Sequence, residues 1–382
     1  MGPTATFSIK DFNKYEKVVS QFLSKGKGVF NTTGFKIEFN PDNTITMYYN
    51  GASALASYRM PCQNDIGEKI ISTDYFRFTQ ILKALGSEGI QDISFSLKEN
   101  ASGILIKIDS GTTHIDLPAF PVVEEFAKEL SYSEKDITCT FEDIELYNAA
   151  KVASSFLSSD AGSSVFVNST AISNDTRYVY VAKKKWGVDL PRETSLSKQN
   201  LDIYSSLKVL DEKASYKHIS SDKTFVHMSS EDNNFNMQIG EPTPIIAAPT
   251  EEDLEGISTF TVLTELTAGQ ILSIINFFLS TGIFDGQKWF PLTIQSIPKE
   301  HRIKFTVKNT QYTSAPSLNV ERFIENIDNL GATIEDTISA DILKIFLSML
   351  DGTTSLKIYT DSTSNGMRFE TVDQDLYLAK FS

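Results

Sequence analysis

The chain has 382 residues, 41% of them apolar and 22% charged, so it can bury a sizeable core and is long enough for two or three domains. No apolar run approaches the roughly 18 residues that a membrane span needs, no basic-then-apolar leader opens the sequence, and Cys62 and Cys139 stand alone and far apart, which argues against a disulfide scaffold or a Cys-based zinc site and makes a reducing cytoplasm the expected compartment. The net charge of −14 excludes a surface that coats nucleic acid generally, though not a local basic stripe inside an acidic exterior.

The opening Met1-Gly2-Pro3-Thr4-Ala5-Thr6 has the spacing of a myristoylation signal, but Pro3 makes it a poor one and it reads as a plain tip. A first helix follows, with Phe12, Tyr15, Val19, Phe22 and Leu23 as its apolar stripe. Lys10, Lys14 and Lys17 recur at i, i+4 and i+7 on another face, and Lys25 and Lys27 continue the positive run. Alternating residues 35–39 and 44–49 flank Asn40-Pro41-Asp42-Asn43, a hairpin with suitable turn chemistry. Residues 72–85 (STDYFRFTQILKAL) are expected to form a helix capped by Ser72, with Phe76, Ile81, Leu82 and Leu85 inward and Arg77 and Lys83 elsewhere. Strands at 104–108 and 113–117 meet across Ser110-Gly111, and the polar stretch 130–136 links to the next part of the chain.

A further helix bears Lys151 and ends at Phe156-Leu157-Ser158; a strand at 178–181 follows the turn-like Asn174-Asp175. The basic run Lys183-Lys184-Lys185 beside Trp186 reads as a solvated loop or a contact to a phosphate backbone. Residues 197–210 (SKQNLDIYSSLKVL) form the next helix, with Leu201, Tyr204, Leu207 and Leu210 as core and Lys198 and Lys208 left for solvent. Three prolines, Pro242, Pro244 and Pro249, keep the stretch 241–253 extended. A helix from Thr267 ends at Phe278-Leu279-Ser280 and exposes only the uncharged Gln270, Ser273 and Asn276. Residues 339–350 (SADILKIFLSML) form a last helix bearing Lys344, before strands at 355–360 and 367–371.

The chain therefore repeats itself. Three helices end on Phe-Leu-Ser, 134 and 122 residues apart; three others open on a serine, 125 and 142 residues apart, and the two sets interleave. We divide the chain into three related domains, 1–132, 133–253 and 254–382, each with two helices on antiparallel sheet, an α+β architecture. Their net charges are −2, −7 and −5, so a basic surface has to come from chosen helix faces. Lysines on the wet side of helices are common, but here several such faces are lysine-rich in an acidic chain.

The segment 78–126 resembles the end of the first domain of bacterial-type sliding clamps, the polymerase processivity factors. The matching residues are the helix Phe78-Thr79-Gln80-Ile81-Leu82-Lys83-Ala84-Leu85, the strand ending in Ser110-Gly111, Thr113-His114-Ile115-Asp116-Leu117, and Pro121 to Phe126. The final Leu376-Tyr377-Leu378-Ala379-Lys380-Phe381-Ser382 resembles the closing strand and tail of that superfamily. The resemblance implies three clamp domains per chain and a head-to-tail homodimer closing into a ring whose helices line a hole for duplex DNA. It implies DNA polymerase and a clamp-loader ATPase as partners, no cofactor, metal or catalytic group, and no membrane. Lys10, Lys14, Lys17, Lys25, Lys27, Arg77, Lys83, Lys151, Lys198, Lys208 and Lys344 would face the DNA. It further implies a partner-peptide pocket, placed by position at Val167, Pro242, Ile245, Ile246, Tyr377, Leu378, Ala379 and Phe381, although Val167 and Tyr377 also read as ordinary sheet core. Bacterial clamps usually end in a Met-Pro-Met-like tail. The Ala379-Lys380-Phe381 ending departs from it, implies a divergent member encoded by a bacteriophage, and leaves the partner peptide open.

Two other classes compete. An enzyme finds little support, because His114, His218, His227 and His301 are scattered and no phosphate loop, nucleophile elbow or metal-ligand spacing is present. A β-rich structural protein, such as a virion component, would suit the strands and the acidity but gives no reason for lysines on recurring helices.

Overall fold

A computed structural model describes the chain except for residues 1, 26–34, 51–53, 101–102, 111–112, 123–131, 142–143, 158–163, 168–170, 176–177, 183–194, 221–223, 244–250, 285–289, 310–317, 329, 332, 361–365 and 380–382. The helices of the described residues are α1 (Ile9–Lys25), α2 (Tyr75–Ser87), α3 (Ile144–Ser154), α4 (Lys198–Leu210), α5 (Glu251–Ser258), α6 (Ala268–Ser280) and α7 (Ala340–Ser348). All except α5 come soon after a strand: Thr4–Ser8, Lys69–Thr73, Ile137–Thr140, Ser195–Ser197, Thr261–Thr267 and Glu335–Ser339 in turn. The chain divides into two compact units, Met1–Ile144 with Gln199–Pro242, and Glu145–Lys198 with Thr243–Ser382.

The first unit is built on one sheet of thirteen strands, antiparallel throughout. Phe35–Asn40 and Thr44–Asn50 pair in the register of the expected hairpin, Asn40 opposite Thr44, and Asn43 supplies the left-handed turn residue at φ 59°. Residues 103–109 and 114–121 pair likewise. Ala54–Pro61 then pairs with Phe235–Gly240, Tyr58 opposite Phe235, so strands far apart in sequence share one sheet. Beneath it lies an aromatic core in which Phe78 of α2 meets Phe35, Phe95 and Phe12 at ring-centroid distances of 5.3, 5.7 and 6.0 Å.

Four sequence expectations change here. The cap of α2 is Asp74, whose carboxylate accepts from the Arg77 amide (2.9 Å), while Ser72 belongs to the strand Lys69–Thr73 and donates to the Phe35 carbonyl (3.0 Å). The inward face of α2 is accordingly Tyr75, Phe78, Thr79, Leu82 and Leu85; Phe76 is 51% exposed and Ile81 half-buried. On α4 the inward set is Asn200, Leu201, Ile203, Tyr204 and Leu207, with Leu210 half-buried. On α1 the stripe also contains Glu16, only 2% exposed, which accepts hydrogen bonds from Tyr49 (2.8 Å) and Tyr75. Burial raises the Glu16 pKa, and the two hydroxyls and Lys83 oppose that rise.

His227, on the strand Phe225–Ser229, is half-buried against Tyr132 (ring centroids 5.4 Å apart) and opposite Lys217. Burial first, then the Lys217 charge, lowers its pKa to about 4. A folded-state pKa below the unfolded one gives stability that is present above the unfolded value and lost as pH falls toward the folded one. By pH 5 the expected loss is about 2 kcal/mol, and His227→Gln should abolish it, as read from urea midpoints at pH 7.5 and 5. Glu16 acts in the opposite sense, its raised pKa making the folded state less costly as pH falls. A variant with an unchanged acid response would sink the His227 assignment.

The second unit holds an eight-stranded sheet, in the order Ser195–Ser197, Ser164–Val167, Ala171–Asp175, Tyr178–Ala182, Gln374–Ala379, Gly366–Glu370, Ser355–Thr360, Thr261–Thr267, and a four-stranded one of Leu318–Ile324, Arg302–Asn309, Pro291–Ile297 and Glu335–Ser339. The α6 start has a capping box: the Gln270 amide donates to Thr267 Oγ1 (3.3 Å), and the Thr267 amide to Gln270 Oε1 (2.8 Å). Ser339 occupies the cap position of α7, but its hydroxyl donates to the Asp341 carboxylate and accepts from no backbone amide of the first turn. The stretch expected to stay extended ends sooner than the sequence suggested. Residues 244–250 lie outside the described residues, and the backbone of Glu251, Glu252 and Asp253 opens α5. No helix of the described residues is long and apolar enough to cross a membrane.

Candidate nucleic-acid interface

Helical periodicity fixes which cations reach solvent. On α1 the buried residues Phe12, Tyr15, Glu16, Val18 and Val19 leave Lys10, Lys14 and Lys17 exposed together on the opposite face. Lys14 donates to the Tyr15 hydroxyl (3.1 Å) and lies 4.6 Å from that ring's centroid; this bond, assisted by Asp232 and Asp211 against partial burial, raises its pKa. Tyr15 stacks on Phe235 (5.4 Å, 17° between planes), and Ser206 of α4 donates to Gln21 of α1 (3.0 Å), so α1 and α4 are neighbours in the first unit.

Arg77 and Lys83 are exposed on α2; the Arg77 side chain is 71% accessible, with Asp74 at the outer limit of an ion pair, 4.0 Å. Lys208 of α4 is more constrained, donating to the Glu212 carbonyl, its ammonium 5.7 Å from the Tyr204 ring centroid. Lys198 belongs to the second unit and donates to the Ser154 carbonyl (3.3 Å) at the end of α3, where a cation complements the helix dipole. It is half-buried and tied to backbone, an arrangement that sequence could not reveal. Lys151 is exposed on α3 and Lys344 half-exposed on α7, both lining one cleft of the second unit. The outer face of α6 carries Gln270, Ser273 and Asn276, all exposed, as expected. Lys25 ends α1, but its side chain, and Lys27 entirely, lie outside the described residues, as does the run Lys183-Lys184-Lys185.

The residues assigned to a partner-peptide pocket are described unevenly. Tyr377, Leu378 and Ala379 lie on the strand Gln374–Ala379; Leu378 is fully buried on the core side, leaving Tyr377 and Ala379 half-exposed on the other. The Tyr377 ring lies 5.6 Å from that of Phe260, a neighbour that sequence reading missed although it directly precedes a strand. Gly366, opposite Ala379 in the next strand, has no room for a side chain, since a Cβ there would collide with the Leu378 carbonyl and approach the Tyr377 ring to 3.0 Å. Val167 ends the strand Ser164–Val167 and pairs with Ala171, its side chain undescribed; Pro242 is half-buried at the end of the first unit. Ile245, Ile246 and Phe381 lie outside the described residues.

The histidines do not converge: His114 pairs with Asp109 at 3.3 Å, His218 bonds Thr138 at 2.6 Å, and His301 occupies a left-handed turn. Among the described residues no three His, Cys, Asp or Glu side chains group as metal ligands would.

No protein-family model matches the sequence, and no curated protein does. The fold is matched over the whole chain. The beta sliding clamp of C. crescentus aligns with a TM-score of 0.77 at 12% identity, covering 100% of this chain and 99% of its own. The Bacillus subtilis DNA polymerase sliding clamp gives 0.74 at 13%, covering both chains fully, and the Helicobacter pylori beta clamp, bound to a DNA ligase peptide, gives 0.74 at 13%, covering 99% and 100%. The chain has the sliding-clamp fold. The resemblance noted in two segments thus extends to the architecture from end to end.

Proposed function

We propose that the protein is a DNA polymerase processivity factor, a sliding clamp that encircles duplex DNA and tethers the polymerase. The full-length clamp-fold match carries this reading. The exposed stripe Lys10, Lys14 and Lys17, with Arg77, Lys83, Lys151 and Lys344, would supply the DNA-facing surface. Lysine contacts to phosphate carry no sequence information, so they permit sliding, and an overall charge of −14 discourages duplex binding anywhere else. Lys198 and Lys208, held by backbone carbonyls, would contribute field more than direct contact.

On this reading the strand–helix pairing that recurs through the chain marks three clamp domains, 1–132, 133–253 and 254–382, and two copies joined head to tail complete a ring. No catalytic group is required. The partners would be a clamp-loader ATPase, a polymerase and other peptides of the kind seen on the Helicobacter pylori clamp. These peptides would dock near Tyr377, Ala379 and Phe260, with Val167, Pro242, Ile245, Ile246 and Phe381 contributing. The setting would be the cytoplasm of a bacterium, with a bacteriophage as the source of so divergent a tail. Deleting residues 380–382 is expected to cut polymerase stimulation severalfold while leaving assembly intact; equal stimulation by the truncated chain would remove the pocket from this position.

Negative-stain electron microscopy with native mass measurement tests the ring itself. The expected particle is a closed two-fold ring of six lobes at twice the 42.5 kDa chain mass. Fibres or sheaths, or monomers that neither assemble nor stimulate polymerase when loader is supplied, would overturn the reading.

A further inference from the structure

The second unit contains a cleft of about 650 Å³ among α3, α6 and α7. Val152, Ile275, Leu279, Phe290, Ile345 and Met349 make most of its wall. Its volume is that of a site for a drug-sized molecule, and an apolar cavity with a few charged groups is what such molecules occupy. The cations are Lys151 and Lys344, and neither forms a salt bridge among the described residues. Asp341, the one carboxylate, is engaged by the Ser339 hydroxyl and lies in the first turn of α7, where the helix's positive end offsets its charge. The cleft thus pairs an apolar floor with net positive charge.

We propose that this cleft binds one amphiphilic organic anion, an aromatic or aliphatic body of drug size bearing a carboxylate or sulfonate held by Lys151 and Lys344. Burial of the body supplies most of the affinity, and the two lysines select the charge. Met349, unbranched and polarisable, lets the wall adapt to bodies of different outline; its sulfur touches the Ser155 hydroxyl, another lining residue, at 4.0 Å. The assignment rests on the second unit alone and stands whether or not the protein is a clamp.

The test titrates the full-length protein with 8-anilinonaphthalene-1-sulfonate and with the neutral N-phenyl-1-naphthylamine, which has nearly the same body without the charge. One saturable sulfonate site per chain is expected, with the neutral dye at least tenfold weaker. Lys151→Glu with Lys344→Glu, both on accessible helix faces, should weaken the sulfonate at least tenfold with unchanged thermal unfolding. Seven methionines make methyl labelling practical, and the Met349 signal, assigned through Met349→Leu, should move most on dye addition. Equal affinity for the two dyes, unchanged affinity in the double variant, or shifts confined to other methionines would each overturn the proposal.

Discussion

Replacing Phe78 with alanine is expected to destabilise the first unit by about 3–5 kcal/mol. Phe78 is wholly buried, and its ring is enclosed by Phe12 of α1 and by Phe35 and Phe95 of two separate strands. Because these neighbours are anchored on different elements, they cannot close together over the vacancy, which places the loss toward the upper part of the range for aromatic truncations. For a unit of this size that corresponds to a fall of roughly 6–20 °C in the unfolding midpoint. Val209→Ala, at a site 85% exposed, is the matched control and should stay within about 0.5 kcal/mol. A Phe78→Ala change below about 1 kcal/mol would mean that α2 does not dock as described.

Lys14→Glu with Lys17→Glu is expected to reduce polymerase stimulation on nicked circular DNA at least tenfold while the fold is retained. Both side chains are exposed, so their loss removes little packing; the Tyr15 contact of Lys14 contributes about 1 kcal/mol at most. On the proposed reading, two phosphate partners are lost and two negative charges take their place. The dependence of DNA affinity on salt should therefore flatten, by roughly 2 in the slope of log K against log salt if each lysine neutralises one phosphate. Lys98→Glu, an exposed lysine on the strand Asp92–Asn100, tests whether any lysine would do and should leave the slope nearly unchanged. Identical slopes for the Lys14/Lys17 variant and the parent would take α1 out of the DNA-facing surface.

Local signals and tertiary ones separate clearly in this chain. The hairpin at Asn40–Thr44 was legible because turn chemistry and period-two alternation agree at the same residues. The helix N-terminus near residue 72 was not, since Ser72 and Asp74 are both good caps; β-branched Ile70, Ile71 and Thr73 were the available clue that strand continues to Thr73. Moving that boundary rotated the helix face and sent Phe76 outward. Glu16 carried no local signal, because its partners Tyr49 and Tyr75 come from remote elements. The lysine stripe of α1 follows from periodicity and survived; the carbonyl partners of Lys198 and Lys208, and the cleft shared by three helices, depend on packing that no short window contains.

The thirteen-stranded sheet also bears on biosynthesis. Ala54–Pro61 leaves the ribosome early, but the strand that covers its free edge, Phe235–Gly240, is translated only after all of residues 145–198. Until then the nascent chain presents an uncovered row of backbone amides and carbonyls, a template for pairing with a neighbouring polypeptide on the same messenger. Slow translation beyond residue 121 would lengthen that exposure, so soluble yield should depend on elongation rate and on chaperone supply more steeply than the stability of the finished protein would suggest.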